Sequence, residues 1–211
     1  MPSTGATLGL RERKKLDTHR ALTSAAVELV AARGLEHVTV DDISAAVGVS
    51  SRTFFNYFAS KEDAVVIAYP DHVERAEELA ERLLAAPADY SPMAALALAF
   101  QPEIDRIEAD RESWLTRISL IERYPELIFR MVSIGMKSDQ TAIEAMGRRT
   151  GLDPQDDPYP RLVCAVASGV VSATVHRWYS LDGRQPLGEL LDTAFDVVAH
   201  GLPLPPHAFT G

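Results

Sequence analysis

Residues 38–65 read VTVDDISAAVGVSSRTFFNYFASKEDAV, and this stretch decides the fold that the sequence predicts. Thr39 is a helix N-cap, and the acidic residue three positions later completes a variant capping box. Apolar residues then recur at helical spacing until Gly48, which tolerates the positive φ of a tight turn. The sequence therefore predicts a helix over 40–47, a turn and a short helix over 51–57. This order is typical of a helix-turn-helix.

The second of these helices carries polar side chains whose chemistry suits DNA. Arg52 can donate to O6 and N7 of guanine, and Asn56 can pair with adenine. Hydroxyl and ammonium groups nearby suit phosphate oxygens, as do the first amide groups of the helix over 40–47. The predicted DNA-binding residues are Thr39, Ser50, Ser51, Arg52, Thr53, Asn56, Tyr57 and Lys61. The predicted core beneath them comprises Ile43, Val47, Val49, Phe54 and Phe58. The alternative is that the polar residues form only the solvated face of an amphipathic helix.

Residues 18–65 resemble the DNA-binding domain of the TetR family of bacterial transcriptional regulators. The resemblance rests on the Thr-capped helix, the Gly-Val-Ser turn, the aromatic-rich second helix and the Phe-Ala-Ser-Lys-Glu ending at 58–62. It implies an all-α homodimer of about nine helices with a ligand pocket in the C-terminal domain, usually acting as a repressor. Many members carry a tyrosine where Phe55 stands, and Phe55 cannot make the phosphate contact of that hydroxyl. Many also carry a small residue where Arg52 stands, which makes Arg52 a candidate base reader.

Helical periodicity continues through most of the chain, and no alternating segments with hairpin turns interrupt it. The sequence therefore predicts an all-α protein. Its predicted helices span residues 17–33, 40–47, 51–57, 61–86 with a bend near Pro70, 92–109 with a bend near Pro102, 111–123, 125–149, 159–181 and 187–200. We expect a flexible basic tail over 1–15, a three-helix DNA-binding domain over 16–62, and a ligand-binding and dimerisation domain over 63–211. The basic residues of the tail either add solubility or form an arm on phosphate or the minor groove.

The uneven charge of the chain favours DNA contact by its N-terminal part alone. The chain has 30 acidic and 21 basic side chains and a net charge of −9, which argues against an architectural protein that coats nucleic acid. Residues 1–61 carry eight Lys and Arg against six Asp and Glu, whereas the other 150 carry 13 against 24. The N-terminal part can therefore meet a polyanion while the acidic remainder stays away from it.

The sequence lacks the motifs of the enzymes that would compete with this interpretation. A di-iron bundle needs Glu-x-x-His pairs, and neither these nor hydrolase, phosphate-loop or zinc-protease motifs occur. We therefore expect no catalytic residue, no metal site and no cofactor. The single cysteine, Cys164, and the lack of an apolar leader favour a cytoplasmic location. The longest apolar run, residues 162–175, is too short to span a membrane, so no membrane partner is expected.

The C-terminal part is expected to hold a ligand pocket, since the resemblance implies one between its helices. The candidate lining residues are Phe100, Ile104, Trp114, Arg117, Ile118, Ile121, Phe129 and Val132. Each of them is otherwise plain core. The overall pattern resembles regulators that sense acyl-CoA-like or other bulky apolar ligands.

The helix over 159–181 is apolar around much of its circumference and carries several small residues that allow a close helix approach. The resemblance implies that the last two helices of each subunit form an intersubunit four-helix bundle. The predicted interface comprises Ala165, Gly169, Val170, Ala173, Leu191, Ala194 and Val198. The alternative is a central core helix within one subunit, and both can hold at once.

Taken together, these patterns predict a ligand-responsive regulator that binds double-stranded palindromic operator DNA as a homodimer. Repression, relieved by a small apolar or amphipathic inducer, is favoured over activation. A protein-binding helical module is the remaining alternative, and binding to the DNA upstream of its own gene would separate the two.

Overall fold

Ten α-helices and one 3-10 helix make up the regular structure of residues 9–203, which are the residues that the computed structural model describes. No strand occurs among them, so the predicted all-α class is confirmed. The helices are α1 (Leu10–Arg33), the 3-10 helix (Leu35–His37), α2 (Val40–Val47), α3 (Ser51–Phe55), α4 (Lys61–Val66), α5 (His72–Ala85), α6 (Pro92–Ala109), α7 (Arg111–Arg123), α8 (Pro125–Thr150), α9 (Tyr159–Ser180) and α10 (Leu187–Ala199).

The one extra helix arises where a single helix was predicted over 61–86. The structure has two helices there, α4 and α5, because Pro70 lacks the N–H that a helix needs and disfavours helical backbone at the residue before it. The C-cap of α4, Ile67, is already extended, with φ −83° and ψ 91°. Pro102, by contrast, lies inside α6, which continues past it.

The first helix is longer than the sequence indicated. It begins at Leu10 rather than near Asp17, so the later part of the predicted flexible tail is helical. Residues 1–8 of that tail lie outside the described residues. Helix α3 is in turn shorter than predicted and ends at Phe55.

The helices belong to two compact units. Unit 1 comprises the chain up to His72 together with Thr116–Ile134, and unit 2 comprises Val73–Leu115 and the chain from Gly135 onward. Unit 1 therefore contains the helix-turn-helix, the end of α7 and the start of α8. It is larger than the DNA-binding domain predicted over 16–62.

Unit 1 has one apolar core, to which every helix of the unit contributes. Its buried residues are Leu22, Ala26, Val27, Val30, Leu35, Val38, Ile43, Phe54, Phe58, Ala64, Val65, Leu120 and Leu127. The predicted small core is present: Ile43, Phe54 and Phe58 are buried, and Val47 and Val49 pack against them half-buried. Burial of these side chains joins α2 and α3 to α1 and α4.

In unit 2, α10 packs against α9 and α6. Trp178 of α9 and Leu191 of α10 are almost completely buried there. The carboxylate of Glu108 accepts a hydrogen bond from the N–H of Leu187 at the start of α10. Arg111 donates to the carbonyl of Gly183, at 2.9 Å, and so holds the turn between α9 and α10. No helix among the described residues is long and apolar enough to cross a bilayer.

Candidate DNA-binding interface

Local hydrogen bonds cap the starts of α2 and α3, and a glycine ends α2 at the turn between them. The Thr39 hydroxyl accepts from the N–H of Asp42 at 3.1 Å, and the Asp42 carboxylate accepts from the N–H of Thr39 at 2.9 Å. The Asp42 carboxylate also accepts from the Thr39 hydroxyl, and this bond, together with the backbone bond from Thr39 and the charge of Arg33, holds the pKa of Asp42 below its usual value. Gly48 ends α2 in the left-handed conformation, with φ 75°, as predicted. Ser50 then caps α3 by accepting from the N–H of Thr53 at 3.1 Å.

Aromatic contacts fix the inner face of α3. Phe54 is completely buried, and its ring centroid lies 5.4 Å from that of Phe58. His19 of α1 packs against Phe58 at 4.7 Å and edge-on against Tyr57 at 6.3 Å. The orientation of α3 is therefore set by rings on both sides of its C-terminal end.

The outer face of α3 presents the two predicted base-reading side chains. Arg52 and Asn56 are exposed, and within the described part of the chain neither side chain has a hydrogen-bond or ion-pair partner. Two bonds engage the hydroxyls around them: Ser51 donates to the carboxylate of Asp41, and the hydroxyls of Ser50 and Thr53 share a 2.9 Å hydrogen bond that uses one of their two O–H donors. The geometry thus offers a guanidinium and an amide to a partner outside the chain.

Lys61 has a role in the structure that the sequence did not indicate. Its ammonium donates to the carbonyl oxygens of Leu35, at 2.6 Å, and Val38, at 2.9 Å. The side chain is half-buried, so it joins the 3-10 helix to the start of α4 rather than standing free beside α3. The ammonium has a third N–H, so a contact between Lys61 and a DNA phosphate stays a prediction.

Lys61→Met is expected to lower the free energy of unfolding by about 1–3 kcal/mol, because it leaves two carbonyl oxygens without their charged donor. Urea denaturation measures this, with Lys14→Met as a matched control at an exposed lysine. Equal stability of both variants and the wild type would contradict a structural role for Lys61.

The structure also brings α1 to the end of α3. Lys14, Lys15 and Thr18 line a cleft of about 340 Å³ together with Thr53, Asn56 and Tyr57. Both lysines are exposed. The predicted set of DNA-binding residues does not include these lysines. The basic run before Asp17, for which an arm on phosphate was one interpretation, is the sequence feature that could have indicated them.

Comparison with known proteins identifies the family. The model for bacterial regulatory proteins of the tetR family matches residues 22–65, and the model for the MftR C-terminal domain matches residues 90–203. The HTH-type transcriptional regulator TcmR of Streptomyces glaucescens is 32% identical over 191 residues, covering 84% of this chain and 81% of TcmR. This chain belongs to the TetR family. The chain is a transcriptional regulator. Regulators of the TetR family bind operator DNA as dimers and bind small-molecule ligands.

Two further matches agree with this. MftR of Mycobacterium tuberculosis, named as a mycofactocin biosynthesis regulator, is 30% identical over 190 residues, covering 90% of this chain and 93% of MftR. The solved structure of FadR from Bacillus subtilis, in complex with stearoyl-CoA, shares the fold with a TM-score of 0.59 and 21% identity. It covers 87% of this chain and 98% of that one.

The residues predicted to line the ligand pocket of this TetR-family chain are divided between the two units. Phe100, Ile104 and Trp114 belong to unit 2, where Ile104 is buried and the other two are half-buried. The other five belong to unit 1: Arg117, Ile118, Ile121, Phe129 and Val132.

Most of the unit 1 members of this set have other roles. Arg117 is buried and donates to the carbonyl oxygen of Val65, while Ile118 is buried and Ile121 packs against the core. The prediction of an inward face was wrong for Phe129 and Val132, which are 78% and 54% exposed. Leu127 takes the buried position on this turn of α8, and the helical repeat turns Phe129 away from it.

A cleft that the sequence did not predict lies in unit 2, between α6 and α10, with a volume of about 360 Å³. None of the predicted ligand residues lines it. Its walls combine apolar side chains, among them Met93, Leu98 and Phe195, with the carboxylates of Asp192 and Asp196. The two walls of this cleft come from segments more than 90 positions apart along the chain. Local hydrophobic periodicity therefore could not predict it.

The predicted dimer residues divide according to burial. Ala165, Gly169 and Ala173 are exposed on one face of α9, at spacings that bring them onto a common stripe. Leu162 and Val166 extend this stripe, with exposures of 59% and 37%.

The prediction was wrong for two of the dimer residues. Val170 and Leu191 are 7% and 0% exposed within the single chain, because they face the other helices of unit 2. They are therefore core residues rather than contact residues. Ala194 and Val198 of α10 are half-buried.

Proposed function

We propose that the protein represses transcription by binding a palindromic operator as a homodimer through α3, and that a small apolar or amphipathic molecule releases it. The observation that carries the proposal is the pair of exposed polar side chains on the capped α3, Arg52 and Asn56, which have no side-chain partner among the described residues. An exposed guanidinium and amide on a short helix match the donor and acceptor pattern of guanine and adenine in the major groove.

The surrounding residues divide into phosphate contacts and positioning groups. Tyr57 and the lysines of α1 line one cleft, so they would contact the sugar-phosphate backbone beside the bases read by α3. The hydroxyls of Ser50 and Ser51 are bonded within the protein and would act mainly by orienting α3. The hydroxyl and N–H of Thr39 both donate to the Asp42 carboxylate, so Thr39 would act by capping α2, while the first amides of α2 would add a further phosphate contact.

Replacing Lys14 and Lys15 together with alanine is expected to weaken binding to all DNA sequences about equally. Each lost phosphate contact should flatten the plot of log affinity against log salt by about 0.9 units. Fluorescence anisotropy over a salt series, on an operator duplex and on a random duplex, measures both effects. Arg148→Ala, at an exposed position in unit 2, is the control. A loss confined to the operator duplex with an unchanged salt slope would contradict phosphate contact.

The dimer proposed here uses the exposed stripe of α9 together with α10. A two-fold axis makes such an interface isologous and places the two copies of α3 on half-sites about 34–36 Å apart. Small side chains at Ala165, Gly169 and Ala173 let two copies of α9 approach closely, and the exposed Leu162 and Val166 supply apolar area to bury.

The inducer that we propose is acyl-CoA-like. The support is the stearoyl-CoA bound to the related fold of FadR, together with the half-buried Phe100 and Trp114 of unit 2. A ligand lowers operator affinity only if it prefers the conformation that does not bind DNA. Within unit 1, α4 is held to α8 by the ion pair of Asp63 and Arg130, 2.8 Å at its longer contact. Because α8 begins in unit 1 and ends in unit 2, a shift of this helix would reach α4.

Saturating acyl-CoA is expected to reduce operator affinity by roughly 5- to 150-fold, which corresponds to a coupling of about 1–3 kcal/mol. Anisotropy of labelled operator reports release, and Trp114 fluorescence reports binding. Trp178→Phe removes the second emitter, which is 1% exposed, and free CoA is the ligand control. Quenching of Trp114 with unchanged operator affinity at saturation would contradict the coupling.

A further inference from the structure

Phe55 is the large apolar side chain on the face of α3 that carries the base-reading residues. It is 58% exposed, whereas its neighbour Phe54 is completely buried. It follows Arg52 by three positions and precedes Asn56 directly, so it lies one helical turn from the guanidinium. No hydrogen bond is available to its ring, and the roles assigned above leave it without a function.

The ring of Phe55 packs on one side against its buried neighbour. It stands edge-on to Phe54, with centroids 5.6 Å apart and ring planes at 87°. Phe54 is in turn fixed by Phe58 in the core of unit 1. The contact restricts the rotation of the ring, so it would lose little conformational freedom on binding.

A major groove offers an apolar group only one matching feature. Donors and acceptors line the edges of all four bases, and the 5-methyl group of thymine is the apolar exception. An exposed ring between a guanidinium and an amide that read base edges would therefore either bury that methyl or desolvate polar edges at a cost.

We propose that Phe55 contacts the 5-methyl group of a thymine next to the base pair read by Arg52, once in each half-site. The inference rests on operator binding through α3. It makes Phe55 a specificity-determining residue that selects thymine by an apolar contact, in place of a hydroxyl contact to phosphate.

The test uses a duplex that the protein itself selects from random-sequence DNA. The two thymines at equivalent positions of the two half-sites are replaced together by deoxyuridine, one such position at a time. Deoxyuridine keeps the base pairing and removes only the methyl group. At one symmetric position the wild type should lose about fourfold in affinity per half-site, the amount expected for one buried methyl group. Phe55→Ala should bind the thymine and deoxyuridine duplexes equally, while Phe55→Leu should keep part of the difference.

Two controls separate this contact from a general loss of structure. Ile128→Ala removes an apolar side chain that is 42% exposed on α8 of the same unit, and it should retain the full thymine preference. Thermal unfolding of Phe55→Ala should match the wild type closely, since the ring is mostly exposed.

Two results would overturn the contact while leaving operator binding intact. One is equal wild-type affinity for every deoxyuridine duplex, and the other is an unchanged thymine preference in Phe55→Ala. If no duplex is enriched from the random pool, sequence-specific binding itself fails, and the Phe55 contact fails with it.

Discussion

Ala173→Glu is expected to convert the protein to monomers and to abolish operator binding at concentrations that saturate the wild type. Ala173 is exposed in the single chain, so the fold should survive the change. In the proposed dimer the glutamate would be buried, and a two-fold axis would bury it twice. Each unpaired buried charge costs several kcal/mol, which no interface of modest size can offset. Sedimentation velocity and operator anisotropy on the same samples measure both effects.

The choice of Ala173 follows from burial. Val170→Glu is expected to unfold unit 2, because Val170 is only 7% exposed within the chain. A loss of DNA binding by that variant would therefore not report on the dimer interface. Ala109→Glu, at an exposed position at the end of α6, should stay dimeric and bind operator. Wild-type protein that is monomeric at micromolar concentration, or an Ala173→Glu dimer, would contradict the proposed interface.

Arg52→Ala is expected to weaken operator binding by about 1–3 kcal/mol, or roughly 5- to 150-fold, and to relax base preference at one position in each half-site. Stability should not change, because Arg52 is exposed and has no partner among the described residues. The measurement is the affinity of wild type and variant for the operator and for its three base-pair variants at that position.

Arg52→Lys separates base reading from charge. Lysine keeps the positive charge but lacks the planar fork that binds guanine through two hydrogen bonds. We expect the lysine variant to keep most of its non-specific affinity while losing discrimination. If Arg52→Ala weakens binding to every base-pair variant by the same factor, Arg52 contacts phosphate rather than a base.

The sequence predicts the helix-turn-helix well because its determinants are local. The capping box of Thr39 and the positive φ of Gly48 each depend on residues within a few positions along the chain. The same holds for the core positions of α2 and α3, which follow the helical repeat. Exposure of Arg52 and Asn56 follows from the same repeat, so the centre of the candidate site could be predicted.

Features that depend on distant residues could not be predicted in this way. The carbonyl partners of Lys61 precede it by 26 and 23 positions, and Arg117 contacts Val65 across 52 positions. Nothing in the local pattern marks those carbonyls as acceptors. The exposure of Phe129 has the same origin, because periodicity identifies an apolar face without showing which neighbour covers it.

Recognition of a specific DNA sequence through α3 is the central property proposed for this protein. The most direct test is competition of unlabelled random DNA against a labelled duplex selected from a random pool, at moderate salt. The wild type is expected to prefer the selected duplex by about 10³-fold or more, and Arg52→Ala to lose a large part of this preference. Equal affinity of the wild type for both DNAs would contradict sequence-specific recognition through α3.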